Sequence, residues 1–476
     1  MKHRAMRKRA VIGAVLALSF VAGACGGDDD DASSDTAAPD ATDAPAGTDA
    51  PVDTAAPSDT DAPADTAAPS DTTAPADTAA PAGDSPCLVS GDAATGEPIK
   101  VGSIQSKTGP DDFSSSGQGA KAFFECVNAN GGINGRPVEF LLEDDQWTPE
   151  TASQLGAKLV NDEAVVAMVG SSSFVECGVN EPLYESEGVV AVYGTGVPRE
   201  CFHSKNISAT NAGPRISALG IAQYMVSEYG AETMTCISQN IPNTGEWVCT
   251  GLQEWGETAG VTVRTLLHDP ANPDFISIIQ DAVSDNPDAV IVMEPAGLTV
   301  PLLAVAEEQD LGDATHWGGP TSQYLAGFPE TIGEYWWGRY DVQAELTTID
   351  NTSPDNQAWL ATMDEYGEAD DPRDTFSQAG WLAAKIFTDT LLAMDPEAIT
   401  REAVTEAIQN VKAYPSDLNC GDWYFGPGDR HNSNHAGRIV TINDAGEYEL
   451  VQDCQEHADP ELEDVLALEE SEGLGG

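Results

Sequence analysis

Gly170-Ser171-Ser172-Ser173 and Gly194-Thr195-Gly196 are the residues of this chain best suited to hold a small polar molecule. Each run follows a short apolar stretch, Val165 to Val169 and Val189 to Tyr193 respectively. Glycine lets a ligand approach the main chain, hydroxyls both donate and accept, and the free N–H groups of a helix start attract anions. The competing use of the same residues is helix capping, for which serine and threonine are favoured. Catalytic patterns are missing by contrast: there is no G-x-S-x-G turn, no phosphate loop, no complete G-x-G-x-x-G and no H-E-x-x-H. His431 and His435 stand four apart near Asp429, but in a turn rich in Gly, Asn and Ser, so a loop is expected there and no metal site. Trp336-Trp337 and Trp423-Tyr424-Phe425 read as core before sugar-stacking platforms. The residues point to binding without a cofactor, and not to an enzyme.

The elements that must position these loops form a regular series. Strands are expected at Pro98 to Ile104, Val138 to Glu143, Val165 to Val169 and Val189 to Tyr193, with helices around Gly119 to Asn128 and Pro149 to Asp162. The rhythm restarts with strands at Thr233 to Ile237, Val261 to Leu267, Ala289 to Met293 and Thr315 to Gly318. Helices lie between them at Glu246 to Gly256 and Phe275 to Ser284. Nearly all-apolar strand runs separated by helices fit parallel sheets covered on both faces. Two such series imply an α/β fold of two doubly wound lobes, whose ligands bind beyond the carboxyl ends of the strands.

The first 86 residues are of another kind. Lys2, Arg4, Arg7, Lys8 and Arg9 precede an apolar run from Ala10 to Ala22, which reads as a secretory signal over residues 1–24. It is shorter than the roughly 20 residues a membrane span needs. Ala22-Gly23-Ala24-Cys25 resembles a bacterial lipobox, in which Cys25 would carry the lipid. From there to residue 86 the chain is mainly Asp, Thr, Ala, Pro, Ser and Gly, with no Lys or Arg between Arg9 and Lys100. Such a segment has no apolar face to bury and repels itself, so a disordered tether is expected, with a contour of roughly 180 Å at about 3.1 Å per residue. A net charge of −58 argues against nucleic acid, and against membrane contact beyond the lipid. Setting Cys25 aside leaves eight cysteines and no C-x-x-C spacing, which suggests disulfides in an oxidising compartment. The pairs Cys177/Cys201 and Cys236/Cys249 are the nearest, with Cys87/Cys126 and Cys420/Cys454 next, although order alone does not assign them.

Several stretches, taken in order, resemble the branched-chain amino-acid-binding family of type I periplasmic binding proteins. They are Ile99-Lys100-Val101-Gly102, Thr108-Gly109-Pro110, Gly117-Gln118-Gly119-Ala120 and Val127 to Gly135 with its Gly-Gly-Ile-Asn-Gly turn. Asp144-Asp145, Val165 to Ser173, Pro273-Asp274-Phe275 and Asn286 to Val290 continue the match to about Val451. The resemblance implies that Ser172, Ser173 and Thr195, with Ser171 and Gly194 beside them, receive a ligand carboxylate. It implies that Phe113 lids the ligand, and that Asn243, Thr244, Glu294 and Thr321 face it from the second lobe. Phe376 is a further candidate wall. The family's amino-acid binders carry a carboxylate near Thr321, which threonine cannot replace; Glu294 or Glu246 would substitute, or the ligand lacks an ammonium group.

The resulting expectation is an exported, lipid-anchored, monomeric receptor that captures an amino acid, amide or related molecule by hinge closure for an ABC permease. The alternative is a ligand sensor for a signalling partner. The first lobe is expected at residues 87–214 with a return segment at about 325–385. The second is expected at 215–324 with about 386–457, followed by an acidic tail at 458–476.

Overall fold

The computed structural model describes residues 85–474; the expected signal, lipidation site and most of the tether lie outside the described residues. In chain order the first series is β1 (Ile99–Gln105), α1 (Ser115–Ala129), β2 (Val138–Asp144), α2 (Pro149–Ala157), β3 (Ala167–Val169) and β4 (Ser172–Ser173). It continues with α3 (Glu176–Glu187), β5 (Val190–Tyr193), β6 (Thr195–Gly196) and β7 (Ile207–Ala209). The second series is α4 (Pro214–Tyr229), β8 (Thr233–Gln239), α5 (Gly245–Ala259), β9 (Thr262–His268), α6 (Phe275–Ala282) and β10 (Ala289–Met293). It ends with α7 (Ala296–Glu308), β11 (His316–Gly319), α8 (Phe328–Ile332) and β12 (Tyr340–Ala344). Three helices follow, α9 (Pro354–Tyr366), α10 (Thr375–Leu392) and α11 (Arg401–Gln409), then the hairpin of β13 (Ala436–Ile442) and β14 (Tyr448–Glu456), and α12 (Glu463–Ser471).

Two seven-stranded sheets result. The first runs β6-β4-β1-β3-β5-β7, with β2 also paired to β1, and its pairings are parallel. The second runs β14-β13-β12-β11-β10-β8-β9, parallel from β9 to β12 and antiparallel where β12 meets β13 and β13 meets β14. Helices on both faces explain why β5 and β10 are buried at every position.

Sheet membership moves the expected lobe boundaries. Tyr324, Phe328, Ile332 and Tyr340 pack in the core of the second sheet, so residues from 325 to the end of β12 do not return to the first lobe. Trp359, Trp381, Val404, Ile408, Leu418, Trp423 and Phe425 pack with Val101 and Val190, so the chain from α9 to about 425 belongs to the first lobe. The expected acidic tail is ordered through Leu474, because Leu462 and Val465 bury in the second lobe. Arg215 holds Asp459 there in a buried ion pair of 2.7 Å. The disulfides join Cys87 to Cys126, Cys177 to Cys201, Cys236 to Cys249 and Cys420 to Cys454. Trp336 and Trp423 are fully buried. His431 is buried too, with Nδ1 2.8 Å from the Ile207 carbonyl oxygen.

The chain passes between the lobes three times, at about 210–213, 345–348 and 426–435. Asn434 on the third pass donates to the carbonyls of Thr210 (3.3 Å) and Glu345 (3.4 Å) on the other two. Within the first lobe α1 and α10 cross at backbone contact. A Cβ on Gly380 would stand 1.8 Å from the Ser116 carbonyl oxygen, so only glycine fits. Gly380→Ala must push these helices apart, and overpacking of this kind costs about 1–3 kcal/mol or more. Denaturant unfolding of the purified variant checks this: the midpoint is expected to fall, and an unchanged midpoint would show the crossing to be looser than described.

Candidate ligand-binding site

The carboxyl ends of the two sheets face one another across a cavity of about 60 Å³. Beyond β1 and β4, Phe113 and Phe174 meet Phe376 at the start of α10; Phe113 lies 4.7 Å from Phe174 and 5.2 Å from Phe376 between ring centroids. Trp147 stacks on the back of Phe174 at 4.1 Å. Gln146 and Trp147 both take left-handed backbone angles (φ 54° and 56°), a conformation side chains rarely adopt, and this turn aims the indole at the wall. The remaining wall of the first lobe is Thr195, Gly196 and Val197, with Asn211 on the first interlobe pass. Asn211 is pinned by Gly196, whose N–H donates to its Oδ1 at 2.8 Å.

The second lobe contributes the ends of its parallel strands: Ser238 and Gln239 at the end of β8, Met293 ending β10 with Glu294 and Pro295 beyond it, Thr321 and Ser322 after β11, and Glu345 after β12. Thr244 and Val248 come from the start of α5. Ser238 is used internally, donating to the Met293 carbonyl at 3.1 Å. Glu294 is buried beside His268, with Oε1 2.7 Å from Nε2, while Oε2 has no hydrogen-bond partner among the described residues. Burial raises the Glu294 carboxyl above its usual range, against the pull of His268. Glu345 is also buried and accepts from the Ala212 N–H at 3.1 Å. Burial pushes its carboxyl up to about 7 despite that bond.

Of the residues expected from sequence, Phe113, Thr195, Thr244, Glu294, Thr321 and Phe376 line this cavity. Ser171, Ser172, Ser173, Gly194 and Asn243 do not. Ser171 accepts from the Ile104 N–H (3.1 Å), and Ser173 donates to Asp145 while accepting from the N–H groups of Val175 (3.0 Å) and Glu176 (2.9 Å). The capping use therefore wins at Ser173, because a buried carboxylate one strand away holds its proton. Ser172 is buried and its hydroxyl has no partner among the described residues. Gly194 is a point of close approach, where a Cβ would stand 2.1 Å from Ser116 Oγ. Asn243 instead bonds Glu200 of the first lobe, on an outer depression that also carries Glu246. Thr321 has its own N–H bound to Ser217 Oγ at 3.1 Å. Phe174, Gln239 and Glu345 were not anticipated, although each ends or directly follows a strand of its sheet.

Contacts between the lobes flank the cavity. Asp111, on the loop after β1, accepts from the Gly297 N–H at the start of α7 (3.1 Å). Arg199, in the first lobe, donates its N–H to the Asn243 carbonyl (2.9 Å).

Two doubly wound sheets, three passes between them and an enclosed cavity at their carboxyl ends define a hinged binding protein. Residues 98–447 match the periplasmic binding protein family, and the chain belongs to that family. Its fold is similar to that of a fatty acid ABC transporter substrate-binding protein from Thermomonospora curvata (TM-score 0.65, 19% identity, covering 77% of this chain and 94% of that one). A solute-binding protein from R. palustris in complex with 4-hydroxybenzoate is similar at TM-score 0.67 and 18% identity, covering 77% of this chain and 100% of the other. A branched-chain amino acid transporter substrate-binding protein from Streptococcus pneumoniae in complex with isoleucine gives TM-score 0.63 and 16% identity, covering 75% and 100%. An amino acid binding protein of Pseudomonas aeruginosa is 32% identical over 78 residues, 16% of this chain and 20% of that relative.

Glu345 shares its titration range with two other buried acids. Burial pushes Glu176 up to about 8, against a hydrogen bond from Tyr184, and Glu469 up to about 7, against Tyr424. Each raised pKa means the folded state binds its proton more tightly than the unfolded state. The contribution is full below about pH 4.5 and is lost as pH rises through 7 to 8. The melting temperature of the protein is therefore expected to fall between pH 5 and pH 8. Glu345→Gln is expected to remove on the order of 2–3 kcal/mol of that dependence. Identical melting profiles against pH for the variant and wild type would contradict this.

Proposed function

We propose that the protein is the extracytoplasmic solute-binding receptor of an ABC importer, closing about its hinge on a small molecule and presenting the closed form to a membrane permease. The observation that carries this reading is the cavity itself, which takes walls from the carboxyl ends of both sheets and is shut by contacts between lobes. A molecule touching both walls favours the closed form by the difference in its affinity for the two forms. The mixture of an aromatic patch with a few convergent polar groups is what small-molecule sites generally offer. The similar structures are described as substrate-binding or solute-binding proteins of ABC transporters, which supports the reading. Their ligands are chemically diverse and do not choose one for this chain. In this reading a lipid on Cys25 and the acidic segment up to residue 86 hold the receptor, as a monomer, at the outer face of the membrane.

Thermal-shift screening of the purified protein against small solutes tests the proposal, with at least one compound expected to raise the melting temperature by several degrees. For such a compound, Thr195→Ala is expected to weaken binding about 3- to 10-fold, the usual worth of one hydrogen bond. Ser172→Ala, away from the cavity wall, is expected to leave affinity unchanged. Full affinity in Thr195→Ala together with loss in Ser172→Ala would place the ligand elsewhere.

A further inference from the structure

Helices that begin at the cleft ordinarily offer free N–H groups and a positive dipole end to an anionic ligand. Here three of five such starts are already taken by carboxyl groups of the protein, while α5 has no side-chain cap. Glu345 accepts from the Ala212 N–H just ahead of α4 (3.1 Å), Asp111 from Gly297 in α7 (3.1 Å) and Asp374 from Ser377 in α10 (2.8 Å). Ser173 caps α3, and α5 carries Glu246 in its own first turn. Three of the five starts thus hold carboxyl groups of the protein, which fill the places that would otherwise draw a ligand carboxylate. Among the described residues no Lys, Arg or His side chain lines the cavity. An outer pocket shares Phe113 and Phe376 with the cavity and adds Asp111, Asp112 and Asp374. The cation on that pocket, Arg373, is committed to the Met363 carbonyl (2.7 Å) and to Asp364 (3.3 Å).

Glu294 supplies the positive half of the argument. Its side chain is on the cavity wall and 1% exposed, and Oε2 has no hydrogen-bond partner among the described residues. A buried carboxylate oxygen without a donor is costly, and a donor arriving in the cavity removes that cost. Thr195 Oγ1, 2% exposed and also without a partner, faces the same space. Phe113, Phe174 and Phe376 give an apolar wall to the body of the ligand.

We infer that the cleft takes an organic cation, an amine or amidine whose N–H groups are received by Glu294 and whose apolar or aromatic body lies against Phe113, Phe174 and Phe376, and that it rejects carboxylates. This rests on the reading of the cavity as the solute site. Calorimetry and thermal shift of the purified protein with size-matched probes test it: 2-phenylethylamine, benzamidine and butylamine against 3-phenylpropanoate, benzoate and butanoate, with phenylacetamide as the neutral control. At least one cation is expected to bind tenfold or more tightly than its matched acid. Glu294→Gln is expected to lower that affinity at least tenfold. The wild-type comparison stands alone should the variant fail to fold. An acid binding as tightly as its matched amine, or unchanged amine affinity in Glu294→Gln, overturns the inference and leaves the receptor reading intact. Absence of binding by every cation overturns the inference; absence of binding by every compound of all three charge types counts against the receptor reading as well.

Discussion

Glu345 stands where the passes between the lobes meet. Its carboxylate accepts from Ala212 on the first pass, it is itself the start of the second, and its carbonyl accepts from Asn434 on the third. A hinge needs strands that are tied laterally yet free to twist, and one side chain with two neighbouring amides does this without a hydrophobic plug. The tie is made of a buried acid, and burial pushes its carboxyl up to about 7. Glu345 is also a wall of the cleft, so the cavity and part of the pH response of the fold meet at this residue.

The same device recurs around the cavity. Open α/β sheets leave helix starts at their carboxyl ends, and the exposed N–H groups there must be satisfied by something. This chain satisfies them from within, with Asp111 reaching across from the opposite lobe to α7. That contact both shuts the cleft and fills an anion position, so lobe closure and ligand charge preference are linked through one carboxylate. The aromatic patch completes the wall, held from behind by Trp147 in its left-handed turn.

Much of the fold was legible in sequence for simple reasons. Strands such as Val190 to Tyr193 and Ala289 to Met293 are buried on both faces and so read as unbroken apolar runs. The carboxyl-end rule then brought Thr195, Glu294 and Thr321 to the cavity. It failed at Ser171 and Ser173, whose partners, Ile104 and Asp145, are distant in sequence and give no local sign. The lobe assignment of the chain after about residue 385, α11 included, was hidden because an amphipathic helix shows which face is buried but not against which sheet. Glu345 was missed because it lies at the end of a strand, β12, that was not anticipated. The acidic tail was legible only as acidic, and its apolar residues Leu462 and Val465 dock it in the second lobe.

The central claim is that the two lobes close on a molecule held between the carboxyl ends of their sheets. The most direct measurement is the distance between spin labels placed on exposed sites of opposite lobes, for example at Glu187 and Glu257, taken with and without a stabilising solute. The account predicts a broader, longer distribution in its absence that collapses to one shorter distance on saturation. A distribution that does not change when a bound solute saturates the cavity would contradict hinge closure.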